Sequence, residues 1–136
     1  MEKNMETNGL PKGLPPLSTE FEVDIKGNQT NHSYTGTFKF TIPNVESNSK
    51  IAVMEARMNG GSAEGIEPNM LMLHYMLSYL RFTLDLEECP KWWKDCKFGL
   101  HLYDPNVVTE IYEKCRTYEQ EWGRLVHGEP AGTEKA

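Results

Sequence analysis

The residues best equipped for chemistry are concentrated in the second half of the chain, where Cys89, Cys96 and His101, with Cys115 further on, bring zinc-type ligands together. Structural zinc sites draw on ligand pairs separated by roughly two to four residues. Here six residues separate Cys89 from Cys96 and four separate Cys96 from His101. Cys115 also falls on an apolar helical stripe, where a small buried filler is expected, so no metal is predicted and the thiols read as structural. His74 or His101 could be combined on paper with a cysteine as base and nucleophile, but no local signature pairs them. His74 reads instead as a hydrogen-bonded residue of the core. Gly9, Gly13 and Gly60-Gly61 lack the spacing, and the trailing Lys-Ser/Thr, of a phosphate-binding loop. The expectation is a protein that is not an enzyme and has no catalytic residues and no cofactor.

Lys91, Lys94 and Lys97 surround Trp92-Trp93, an arrangement that can bind single-stranded nucleic acid by charge and stacking. Glu87, Glu88 and Asp95 cancel those lysines, and the whole chain carries 14 basic against 20 acidic residues, a net charge of −6. Such a balance argues against nucleic acid as the partner. Adjacent helical residues point about 100° apart, so one Trp is expected in the core and the other at an interface.

These residues need a scaffold, and 136 residues suffice for one domain. Glu20 to Lys26 alternates strictly, with Phe21, Val23 and Ile25 on one side, and Tyr34 to Ile42 repeats the period through Phe38 and Phe40. The short polar connection Gly27 to Ser33 permits only an antiparallel hairpin. Gly36 interrupts the apolar row and marks a bulge or a close backbone approach. A first helix carries Ile51, Met54 and Met58, is capped by Ser47 or Ser49, and stops at Asn59-Gly60-Gly61. Pro68 opens a second, whose stripe Met70, Leu73, Leu77, Leu80 and Leu84 is widened by Met72, Met76 and Tyr79; it should be central and buried from more than one side. After a helical turn at Lys91 to Asp95, Asp104-Pro105 starts a last helix, with the carboxylate as N-cap, that runs through Val108, Ile111, Cys115, Tyr118 and Trp122 and breaks at Gly123. The predicted fold is α+β: an N-terminal antiparallel β-hairpin on a small bundle of three main helices (19–123), preceded by an extended arm (1–18) and followed by a flexible tail (124–136).

The start MEKNMETNGLPKGLPPL has no apolar core of a signal peptide, and Met70 to Leu84 falls short of the ~20 residues needed to cross a bilayer, so a cytoplasmic protein without a membrane partner is expected. The arm is either a disordered leader or a polyproline-like strand that sets Leu10, Leu14 and Leu17 into grooves on a neighbouring subunit. Trp92, Trp93, Phe98 and Tyr103 form a second predicted contact, because the segment from Trp92 to Tyr103 holds more apolar surface than a short connection can cover.

The order of "FEVDIKG", "YTGTFKF", a helix ending in "MNGG", a long apolar helix, "CPKWWKD", "FGLHLYDPNVVTEIYEKC" and "YEQEW", over roughly residues 20 to 122, resembles small morphogenesis proteins of long-tailed bacteriophages, in particular tail assembly chaperones. The resemblance implies a non-enzymatic binding module that engages tail tube or tape measure proteins in the host cytoplasm. The alternative is a structural virion component, such as a capsid decoration, neck or tail protein, retained in the particle beside capsid or tail subunits. Self-association into a homo-oligomer is compatible with both.

Overall fold

The computed structural model describes residues 14–128. Two strands, β1 (Ser18–Lys26) and β2 (Ser33–Thr41), are followed by helices α1 (Val45–Met58), α2 (Pro68–Thr83), the short α3 (Lys91–Asp95) and α4 (Pro105–Val126). The fold is α+β, a hairpin laid on helices.

The strands pair antiparallel, Phe21 opposite Phe38, Val23 opposite Gly36 and Ile25 opposite Tyr34. In that register every large apolar side chain falls on one face: Val23, Ile25, Tyr34, Phe38 and Phe40 are buried and Phe21 packs against them. The opposite face, Glu20, Glu22 and Asp24 on β1 with Thr35 and Thr37 on β2, is exposed. At Gly36 the register is unbroken, so there is no bulge. A Cβ there would lie 2.4 Å from Cγ of Pro90, so the missing side chain lets the residue before α3 close on β2.

Phe38 is the centre of an aromatic cage, stacked 5.8 Å from Phe21 and edge-on at 5.9 and 5.6 Å to Trp92 and Trp93. Through Phe40 the cage continues to Tyr79 on α2 and Tyr118 on α4.

Several boundaries depart from expectation. The cap of α1 is Asn44, whose side-chain oxygen accepts from Ser47 N at 2.9 Å, because the helix begins directly after Pro43. Thr83 ends α2. Leu84 is already extended and bridges Phe40, and Asp85 N donates to Lys39 O at 2.9 Å, so the chain leaving α2 covers the outer edge of β2. Burial along α2 is also one-sided in sequence: Met76, Leu77, Tyr79 and Leu80 are buried, whereas Met70 and Met72 are 44% and 55% exposed. The helix is therefore not buried along its whole length; among the described residues none covers Met70 and Met72 as the core covers the last turns. Finally, α4 passes through Gly123 to Val126, since a helical glycine costs only about 1 kcal/mol relative to Ala. The 124–136 tail thus begins as helix, and residues 129–136 lie outside the described part.

Phe38 is fully buried, so Phe38→Ala should lower the unfolding free energy by about 3 to 5 kcal/mol in a urea titration. A loss below about 1 kcal/mol would mean that the hairpin's Phe-rich face is not the core.

Candidate functional site

The expected partner-binding residues do not converge. Leu10 lies outside the described residues. Leu14 and Leu17 are half-buried on their own subunit, because the arm's end is tied to α4: Tyr118 Oη donates to Pro16 O at 2.6 Å and Trp122 Nε1 to Pro15 O at 3.1 Å. The boundary of the arm at residue 18 therefore moves back, with residues 14–17 belonging to the domain.

Trp93 is 1% exposed and is core, so it presents no surface to a partner. Trp92 is half-buried, its ring 5.0 Å from Tyr34 and its Nε1 donating to Thr35 O at 2.8 Å. The 100° between the two side chains is accommodated because α3 lies against β2, which receives both. Phe98 is half-buried beneath the Arg81 guanidinium, 4.6 Å from its ring centre. Of the large apolar residues of this segment, Tyr103, 80% exposed, and Leu100, 46% exposed, are open to solvent.

The strongest polar constellation surrounds Asp104. It stands at the N-cap position of α4, yet its carboxylate accepts no bond from that helix. It accepts instead from the hairpin: Gln29 N at 2.7 Å, Thr30 N at 2.8 Å and Thr30 Oγ1 at 2.6 Å in the turn, and Tyr34 Oη at 2.7 Å in β2. Gly27 makes room for it, since a Cβ there would sit 2.2 Å from the carboxyl group. Asn106 completes the clamp, accepting from Asn28 N at 2.9 Å and donating to Lys26 O at 3.0 Å. Burial disfavours the charge on Asp104, but the bonds from Thr30, Tyr34 and Gln29 outweigh it and bring the carboxyl down to about 2. A fully buried carboxylate saturated by its own chain is a structural latch.

The cysteines do not gather into a site. Cys89 and Cys115 are buried, and burial pushes the Cys89 thiol up to about 12 and the Cys115 thiol upward as well, which keeps both protonated. Among the described residues no group of His, Cys, Asp and Glu could hold a metal ion. His101 is exposed, and His74 is half-buried with Nδ1 2.6 Å from Asn59 Oδ1. No helix among the described residues is long and apolar enough to cross a membrane.

What the structure does offer is surface. Between the first turns of α2 and α4 lies an open groove of about 430 Å³, floored by Met70, Met72, Leu73, Met76 and Tyr112 and rimmed by Glu67 and Glu113. A second depression of about 430 Å³, with Pro68, Leu71, Tyr75 and Glu55, shares Met72 and Tyr112 with it. Methionine side chains are unbranched and polarisable, and adapt to irregular apolar partners. The signal was present in the run NMLMLHYML, but periodicity cannot tell which turns of an apolar helix are covered.

Comparison of the chain with family models, curated proteins and solved structures returned no match.

Asp104 has its carboxyl depressed from an ordinary value of about 3.9. Its contribution to stability should be complete above about pH 4 and disappear as pH falls toward 2. Asp104→Asn should therefore be less stable than the wild type at neutral pH, with the difference closing between about pH 4 and pH 2 in denaturant titrations. A difference that stays constant over that interval would mean the carboxylate is not ionised in the fold. In the native protein iodoacetamide should modify Cys96, which is half-buried, well before Cys89 and Cys115; equal rates by peptide mass mapping would contradict their burial.

Proposed function

We propose that this chain is a non-enzymatic assembly protein of a long-tailed bacteriophage, acting as a tail assembly chaperone. It holds an apolar helix of a tail tube or tape measure subunit in the methionine-lined groove of α2 and α4. The observation that carries the binding part of this reading is the exposure of Met70 and Met72 above a groove with an apolar floor. Exposed apolar surface of this kind is costly to maintain and marks interaction sites. Grooves that receive one face of an amphipathic helix combine such a floor with polar rims. The phage context comes from the resemblance of the chain's ordered segments to that group of proteins.

The groove and the latch divide the work. The hairpin and the end of α2 supply a rigid core, while the first turns of α2 present side chains that can repack around different apolar residues. That combination suits a chaperone, which must accept a client before the client has its final neighbours and then release it.

Co-expression with the tail tube and tape measure proteins tests the reading directly. The double variant Met70→Asp/Met72→Asp should keep its melting temperature, because surface substitutions usually change stability by no more than about 0.5 kcal/mol. It should lose capture of the client by roughly tenfold or more, as expected for residues at the centre of an interface. Unchanged capture would remove the groove from the mechanism. Mass spectrometry of purified particles then separates the two phage roles: a chaperone is absent or strongly sub-stoichiometric, and a fixed ratio to the shell or tube would make the chain a virion component instead.

A further inference from the structure

A second surface, apart from the methionine groove, lies along the free edge of β1. Gly27 N donates to His32 O and Ile42 N to Leu17 O, both at 2.8 Å, so in the antiparallel pattern the odd-numbered residues of β1 exchange their bonds with β2. The even-numbered residues point their backbone groups the other way. Lys26 O, the last of them, meets Asn106 Nδ2. Glu20, Glu22 and Asp24 have exposed side chains, and no hydrogen bond from another element of the described chain reaches their backbone groups. The outer edge of β2 is treated differently: Asp85 N covers Lys39 O and Trp92 Nε1 covers Thr35 O. Among the described residues, the β2 edge is thus partly covered by the chain itself at Lys39 and Thr35, and the β1 edge from Glu20 to Asp24 is not covered.

Beside the open edge runs a groove of about 590 Å³, floored by Phe21 and Tyr118 and walled by α4 through Glu110, Glu113, Lys114 and Glu121. Glu121 is paired with Arg124, so the free negative charge of this wall comes from Glu110 and Glu113, opposed by Lys114. On the solvent face of β1, Glu20 stands opposite Lys39, while Glu22 and Asp24 stand opposite threonines. A strand added here would alternate its side chains between an apolar floor and an acidic row.

We propose that the β1 edge takes an extended segment of another protein, alternating apolar and basic residues, as a third strand of the sheet. Backbone hydrogen bonds to Glu20, Glu22 and Asp24 would supply the affinity. Apolar side chains would enter the groove over Phe21 and Tyr118, and Lys or Arg would align with Glu22 and Asp24. Charge selects this occupant over the other two available. A second copy pairing through β1 would set its own acidic row against this one, which is unfavourable for directly opposed like charges. The chain's own residues 1–13 contain two Lys and two Glu and no alternating basic pattern.

The test uses the full-length 15N-labelled protein and a short synthetic peptide of alternating Val and Lys, followed by amide chemical shifts and exchange with solvent. The expected result is saturable shifts centred on Glu20 to Asp24, with slowed exchange of the Glu20, Glu22 and Asp24 amides and binding that weakens steeply with salt. The alternating Val and Glu peptide should bind at least roughly tenfold more weakly. N-methylation of the Val-Lys peptide at its edge-facing amides should abolish binding, because it removes the donors without altering charge. Glu22→Lys/Asp24→Lys should reverse the preference between the two peptides. The proposal is overturned if the peptides bind equally or not at all, if N-methylation has no effect, or if the shifts fall on α2. It is equally overturned if deletion of residues 1–13 is needed before any peptide binds, or if the free chain dimerises through β1.

Discussion

A two-stranded hairpin is marginal in water, and here its position depends on a single carboxylate. Asp104 reaches from the start of α4 into the turn between β1 and β2 and takes three hydrogen bonds from it and a fourth from Tyr34 at the start of β2. The cost of removing a charge from water is offset only because every bond is short and the donors are held by the turn itself. Gly27 is part of the same device, since no other residue leaves space for the carboxyl group. With Asn106 bonded to both Lys26 O and Asn28 N, the first turn of α4 and the end of β1 form one unit. The direction of α4 relative to the sheet follows from that unit, and so does the groove between them.

From this clamp the rest of the packing can be traced outward. Asp104 fixes Tyr34, Tyr34 lies against Trp92, and Trp92 and Trp93 enclose Phe38. At the far end, Tyr118 and Trp122 hold the carbonyls of Pro16 and Pro15, so the chain enters β1 already attached to α4. The hairpin is thus gripped at its turn, along β2 and at its entry, while the β1 edge and the first turns of α2 are left uncovered among the described residues. Both free surfaces are where an otherwise well-satisfied structure leaves groups uncovered, polar in one case and apolar in the other.

Local pattern carried the elements and failed on the contacts between distant segments. The period of two in FEVDIK and YTGTFKF was enough to name the buried face of the hairpin, because a slip of one residue would expose all of it. The gap at Gly36 was legible as a bulge or a close approach, but neither the choice between them nor the approaching residue, Pro90, was. Asp104 could be read as the residue before a helix, but its bonding partners lie seventy or more residues away in sequence, and nothing in the DPNVV segment points to the turn at Gln29 and Thr30. The Trp pair was divided by helical geometry into core and interface, whereas β2 receives both rings, Thr35 O accepting from Trp92 and Phe38 packing edge-on against Trp93. The α2 stripe was legible as apolar, but not as uncovered over Met70 and Met72, because that depends on where α1 ends and α4 begins.

The two open surfaces meet on α4, where Glu113 borders both grooves. With Glu67 on the methionine groove and Glu110 on the other, acidic side chains rim two apolar floors of one small domain. The rims add little affinity, since exposed charges are screened by water and salt. On the proposed reading they supply discrimination, since two such acidic rims brought together are unfavourable. A partner with basic residues flanking an apolar segment meets the opposite condition. On the proposed reading, the net charge of −6 works against self-association at the exposed methionines and the uncovered β1 edge.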